Sequence, residues 1–187
     1  MHERAGFTAS GSSLWRGWSL AGLLCALGPV AMAQDRSATP AETDTALKVL
    51  DRWRGRWNVT TTTTSPTPST VKSVTTNSWT LGKRFLQGDS GAKSDGTHDL
   101  SMMTFDAVAR TYPLWIFTST GVVFYLADGR WDEASRTMQW ESAFNLAASY
   151  NYRCQFPDDN TYRCRSIVKD WKGKALLELE TVGTRDR

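Results

Sequence analysis

Side chains able to do covalent chemistry are sparse in this sequence. His98 is the only histidine beyond the first two residues, and its unperturbed titration near neutrality makes it the first acid-base candidate. Gly96 and Asp99 beside it place it at a loop end facing solvent. No Gly-x-Ser-x-Gly elbow is present to raise a serine nucleophile, and one histidine would have to serve any triad. The paired carboxylates fare no better, because Asp158-Asp159 reads as a turn and Glu178 with Glu180 as an exposed strand face. Walker and dinucleotide fingerprints are absent. No catalytic residue, metal or cofactor is expected: a lone histidine with the available cysteines does not make a four-ligand zinc set.

Aromatic side chains offer more. Tyr and Trp combine apolar area with a polar tip, which suits a pocket for a ring or an acyl chain. Trp115, Phe117, Tyr125, Trp140, Tyr150 and Tyr152 lie in central strand-like runs and are the expected ligand-binding wall. The competing expectation is that these rings simply fill the interior.

The elements that must position them begin after a leader. Residues 1–33 read as a secretory signal peptide, with Arg4 and Arg16 ahead of an apolar core from Trp18 to Val30 and Ala31-Met32-Ala33 at the cleavage site. The apolar core is shorter than the roughly 20 residues a membrane span needs, and no transmembrane segment is expected. Leu24, before Cys25, does not suit a lipobox. Cleavage after Ala33 predicts a periplasmic or secreted chain starting at Gln34. Removing Glu3, Arg4 and Arg16 with the leader leaves 20 basic and 18 acidic residues. That near balance argues against nucleic acid as a partner.

Residues 34–43 have the composition of a flexible linker, and residues 44–187 are expected to form one domain. Val49, Leu50 and Trp53 make a helical stripe starting from a cap at Thr43 or Asp44, and Gly55 ends it. A helix here would cap one end of a closed sheet. Beyond Gly55 about ten β-type runs follow, spaced by turn signals, with no further helical periodicity. Ser90 to Gly96 reads as a long flexible loop.

Cys154 and Cys164 are the two cysteines that survive cleavage, and in an exported chain an even pair predicts a disulfide. Facing them across an Asp158-Asp159-Asn160 turn pairs Tyr152 with Ser166 and Phe156 with Tyr162 on one face. Arg153 with Arg165 and Gln155 with Arg163 then fall on the other. A turn at Lys172-Gly173 pairs Val168 with Leu177, Ser166 with Leu179 and Arg165 with Glu180. One face is apolar and one charged across three strands, which is the mark of an antiparallel sheet with a wet outer side.

The stretches Leu50-Asp-Arg-Trp-Arg-Gly-Arg-Trp-Asn-Val59, Trp79-Thr-Leu-Gly-Lys-Arg-Phe-Leu86, Phe105-Asp106, Arg110-Thr-Tyr112, Trp115 to Gly121 and Gly129-Arg-Trp-Asp132 resemble the bacterial "domain of unknown function 1579" group. The resemblance implies a calycin-like barrel related in shape to lipocalins, fatty-acid-binding proteins and nitrobindin, and it implies no activity. Gly55-Arg56-Trp57 is similar to the Gly-x-Trp that opens lipocalins, which implies Trp57 across the closed barrel end under Arg185. Nitrobindin-type haem binding is not implied, because no histidine follows His98.

The expected fold is therefore all-β, an antiparallel up-and-down barrel of about ten strands with a short N-terminal helix. Its expected function is to bind a small hydrophobic or amphipathic ligand without turnover. The alternatives are an isomerase- or hydrolase-type enzyme using the same cavity, with a Tyr or His98 as acid-base group, and a filled barrel that docks another protein.

Overall fold

The computed structural model describes residues 37–145 and 148–186; the expected signal peptide and its cleavage site lie outside them. The helix α1 spans Pro40–Leu50 and starts ahead of the expected cap. Thr39 is the cap residue, accepting from the Glu42 amide at 3.3 Å while the Glu42 carboxylate accepts from the Thr39 amide at 2.8 Å. Pro40 fits the first helical position because its missing N–H would be unpaired there anyway. This reciprocal box recruits residues expected to be linker.

Ten strands follow: β1 Gly55–Ser65, β2 Ser69–Thr80, β3 Phe85–Asp89, β4 Asp99–Met103, β5 Tyr112–Thr118, β6 Val123–Asp132, β7 Thr137–Asn145, β8 Ala148–Asp158, β9 Thr161–Asp170 and β10 Ala175–Arg185. Each pairs antiparallel with its sequence neighbour, and β1 pairs with β10 to close the barrel. Closure gives every strand two neighbours in the ring. Among the described residues the β6–β7 ladder is short, running from Arg130↔Gln139 to Asp132↔Thr137.

The expected register holds over most of β8 to β10. Cys154 faces Cys164, Tyr152 faces Ser166, Arg153 faces Arg165 and Gln155 faces Arg163. Val168↔Leu177, Ser166↔Leu179 and Arg165↔Glu180 follow on the next ladder. Two details differ. Phe156 and Pro157 form a bulge, so that Asp158 pairs with Thr161 across a tighter turn; Pro157 has no N–H to give to the ladder. Arg165 makes its ion pair with Glu178, not with Glu180 directly opposite, since strand twist brings the diagonal neighbour within reach.

The helix end of the barrel is filled with rings. Trp53 packs edge-on to Phe156 with centroids 4.5 Å apart, and Trp57 lies 5.0 Å from Tyr162. Trp57 is fully buried and donates its indole N–H to the Trp53 carbonyl at 2.7 Å. As the lipocalin-like motif implies, the Arg185 guanidinium lies 4.3 Å over the Trp57 ring. It also donates to the carbonyls of Arg54 at 2.7 Å and Asp159 at 3.2 Å. Gly55 makes room for it: its φ of +107° disfavours any side chain, and a Cβ there would sit 2.9 Å from Arg185 Nη1.

Cys154 and Cys164 form the disulfide, both sulfurs inside the barrel with Tyr152 and Tyr162 as same-face neighbours, while Arg153, Arg163 and Arg165 are exposed. The cysteines are ten positions apart, and a loop that short restricts the unfolded chain by about 3 kcal/mol in the entropy model. A Cys154→Ser/Cys164→Ser double variant is expected to melt about 6–12 °C lower with its β-sheet circular dichroism retained. Two reactive thiols in the oxidised native protein would contradict the pairing. Arg185→Lys, which keeps the charge but loses the flat stack and the forked donors, is expected to destabilise the fold by about 2 kcal/mol, read as a shifted urea midpoint.

Candidate functional site

At the end away from the helix the inward residues are smaller, and the barrel stays open inside. A cavity of about 300 Å³ is bordered by β1, β2, β4 to β6 and β8 to β10. A second chamber of about 190 Å³ continues towards the ring-filled end, and Thr61, Ser73, Lys93, Asp99, Ile116, Tyr152 and Thr181 border both. The larger volume stands at the lower end of the roughly 300–1,000 Å³ typical of small-molecule sites.

The wall has two characters. Ile116, Phe124, Leu126, Val168, Leu177 and Leu179, from β5, β6, β9 and β10, supply most of the apolar lining. Thr61 and Ser73, from β1 and β2, supply polar lining together with Lys93, Asp95 and Asp99 from the β3–β4 loop and the start of β4. Val71 of β2, Ser166 of β9 and Thr181 of β10 mix the two characters along single strands.

Lys93 and Asp99 form a largely buried ion pair in the polar lining. Their loop is tethered, not free as its composition suggests. The Ser94 amide donates to the Lys72 carbonyl at 2.9 Å, and the Lys72 amide donates back to Ser94 Oγ at 2.9 Å. Asp99 in turn donates its amide to Ser90 Oγ at 2.8 Å. Asp95, nearer the surface, is held below the usual carboxylate range by hydrogen bonds from the Thr97 hydroxyl and amide.

Tyr152 stands where the two chambers meet. Its ring stacks on Trp140 at 5.3 Å, and its hydroxyl has no hydrogen-bond partner among the described residues. Burial pushes its pKa up to about 12, so the phenol stays protonated and can both donate and accept. Tyr162 below it is raised further, by burial and then by Tyr152, and its hydroxyl likewise lacks a protein partner. Neither hydroxyl is sealed off, so water or a ligand head can reach it as a hydrogen-bond partner.

Of the six aromatic residues expected as the ligand wall, the structure brings three inside. Tyr150 and Tyr152 border the cavity, and Trp140 borders the inner chamber. Tyr150 donates to Asp128 Oδ1 at 3.0 Å, and Trp140 donates its indole N–H to the Tyr112 carbonyl at 2.7 Å. Trp115, Phe117 and Tyr125 point outward. Trp115 stacks on Tyr125 at 5.0 Å on the outer wall, and Phe117 and Tyr125 are 42% and 49% exposed.

The strand β5 reads Tyr112-Pro-Leu-Trp-Ile-Phe-Thr118, apolar at nearly every position, so alternation does not say which set faces in. On β6 a bulge opposite Pro113 shifts the register between Leu126 and Gly129. It turns Tyr125 outward yet leaves Trp131 near Trp53, with centroids 6.5 Å apart. Sequence reasoning missed Lys93, Asp99 and the inward leucines of β10. Leu177 and Leu179 were within its reach, since the register already set them on the face of Cys164; Lys93 gave no signal.

His98 lies outside the cavity lining. Exposed as expected, it has Nε2 2.8 Å from Asp89 Oδ1. Asp89 is held below the usual carboxylate range by the Gly91 amide and then by His98. Among the described residues no group of three or more His, Cys, Asp or Glu gathers to hold a metal. No helix there is long and apolar enough to cross a membrane.

Solved structures of similar shape include the S-type phycobiliprotein lyase CPES from Guillardia theta, 13% identical, with 76% of this chain and 93% of that chain covered at a TM-score of 0.45. A de novo designed fluorescence-activating β-barrel is 11% identical over 74% of this chain and 97% of its own, with a TM-score of 0.43. A redesigned barrel, mFAP1, bound to DFHBI, is 14% identical over 75% and 98%, with a TM-score of 0.40. A comparison with curated proteins finds no match. Residues 42–185 match the family model described as "Protein of unknown function (DUF1579)", and the chain belongs to that family.

Proposed function

We propose that this protein binds a small apolar or amphipathic molecule inside the barrel, without turnover, in the periplasm or outside the cell. The observation that carries the reading is the pair of chambers that share seven lining residues, with apolar side chains from four strands and the Tyr152 hydroxyl among the shared lining. Core packing of natural proteins leaves few voids larger than a water molecule. A space of about 300 Å³ holds on the order of ten waters at their liquid volume. Six aliphatic or aromatic side chains on its wall make displacement of that water by an apolar ligand favourable, at about 25 cal/mol per Å² of apolar surface covered.

Binding without turnover is favoured because the acid-base candidates do not meet. His98 stands on the loop outside the cavity, and the Tyr152 phenol inside it is held protonated. Of the aromatic wall expected from sequence, Trp140, Tyr150 and Tyr152 belong to the proposed site, joined by Ile116, Phe124, Leu126, Val168, Leu177 and Leu179. The disulfide suits an oxidising compartment, and with the leader-like residues 1–33 it supports export.

Nile red, a neutral dye, is expected to bind saturably at one site with an enhanced emission. Filling the cavity with Leu179→Trp should weaken that binding by about tenfold or more, the cost of crowding a packed wall. Trp115→Ala with Tyr125→Ala, both on the outer wall, should leave it within about twofold. Binding that follows the outer-wall variant and ignores Leu179→Trp would refute the interior site. Intact mass of the exported protein should correspond to a chain beginning at Gln34; retention of Met1 to Ala33 would refute the processing.

A further inference from the structure

The charged groups that border the cavity are unequal in number, and the inequality bears on what enters it. Among the described residues that line either chamber, the ionised side chains are Lys93, Asp95 and Asp99. No arginine lines them. Lys93 is already engaged by Asp99, with both side chains largely buried. Asp95, nearer the surface and also in the field of Lys93, leaves two carboxylates to one ammonium in the lining, and Asp128 stands behind Tyr150, accepting its hydroxyl at 3.0 Å.

An acid arriving here meets one ammonium that is already paired and carboxylates beside it. To bind Lys93 it must displace Asp99 and leave that carboxylate next to its own, in a site where water screens poorly. An ammonium meets the reverse: Asp99 accepts from it while still paired with Lys93, and Asp95 adds attraction. A neutral hydroxyl inserts between the pair or bonds the free Tyr152 phenol. The apolar tail lies in each case against Ile116, Phe124, Val168 and Leu179.

We infer that the cavity is selective by head group, taking amine and neutral amphiphiles and excluding carboxylic acids, with Asp99 and Lys93 as the residues that set the preference. This inference rests on the interior-binding reading above. It names the ligand as a compact amphiphile with a basic or hydroxyl head, which sets it apart from a fatty-acid carrier.

Matched decyl compounds test it with the full mature protein. Decylamine, decanol and decanoate are titrated separately by calorimetry at neutral pH, below their aggregation thresholds. The amine and the alcohol should each bind at least about tenfold tighter than the acid. Asp99→Asn, which frees the Lys93 charge, should reverse the order of amine and acid. Lys93→Met, which keeps the length of the stem and removes the ammonium from the lining, should tighten the amine and weaken the acid further. Decanoate binding as tightly as decylamine to the unmodified protein, or decylamine still binding tighter than decanoate in Asp99→Asn, overturns the inference while leaving interior binding intact. Failure of all three compounds and of Nile red to bind overturns the interior site itself, and this inference with it.

Discussion

Arg185 is the last strand residue in the barrel, and its guanidinium lies over Trp57 in the first. A cation on an indole face is worth about 0.5–2 kcal/mol, but the contact also sets a geometry. The same guanidinium donates to the carbonyls of Arg52 and Arg54 in the turn after the helix, and to Asp159 in the β8–β9 turn. Three chain segments far apart in sequence therefore converge on one side chain. Trp57 in turn bonds the Trp53 carbonyl, which also accepts from Asn77 on β2 at 2.9 Å. The helix is thereby held across the barrel end, with Leu47 and Leu50 buried beneath it.

Sealing one end this densely is what permits the other to stay open. The aromatic cluster of Trp53, Trp57, Phe156 and Tyr162 supplies large apolar burial in a small volume, and the Cys154–Cys164 bond ties β8 to β9 beside it. Farther along the same strands the inward positions hold Thr61, Ser73, Ser166, Val168, Leu177 and Thr181, too small to meet across the barrel. A ten-stranded barrel is wide enough that small inward residues leave a void instead of a packed core. The gradient from large rings to small side chains thus produces a plugged end and a pocket in one continuous sheet.

Much of this fold was legible in the sequence because two periodicities are clean. The change at Gly55 from a helical stripe to β-branched residues marked the plug and the first strand. The last three strands sorted Cys, Tyr and Leu from Arg and Glu so consistently that their register followed from pairing the two cysteines. The site was legible only in part. In β5 every residue from Tyr112 to Ile116 is apolar, so either face qualified as inner, and in β6 a bulge against Pro113 reversed the alternation midway. Trp115, Phe117 and Tyr125 were therefore expected inside and lie outside. Lys93 reaches the cavity only because Ser94 is pinned to Lys72, a tertiary contact between residues that carry no pattern of their own.

The proposed ligand site is the interior of the barrel. Isotope-filtered nuclear Overhauser spectroscopy on methyl-labelled protein with bound decanol reads that location directly. Cross-peaks from the decyl chain to the methyls of Ile116, Leu126, Val168, Leu177 and Leu179 are predicted, and none to Val122 or Val123, which are exposed. Cross-peaks confined to Val122 and Val123, with the inward methyls silent, would contradict it.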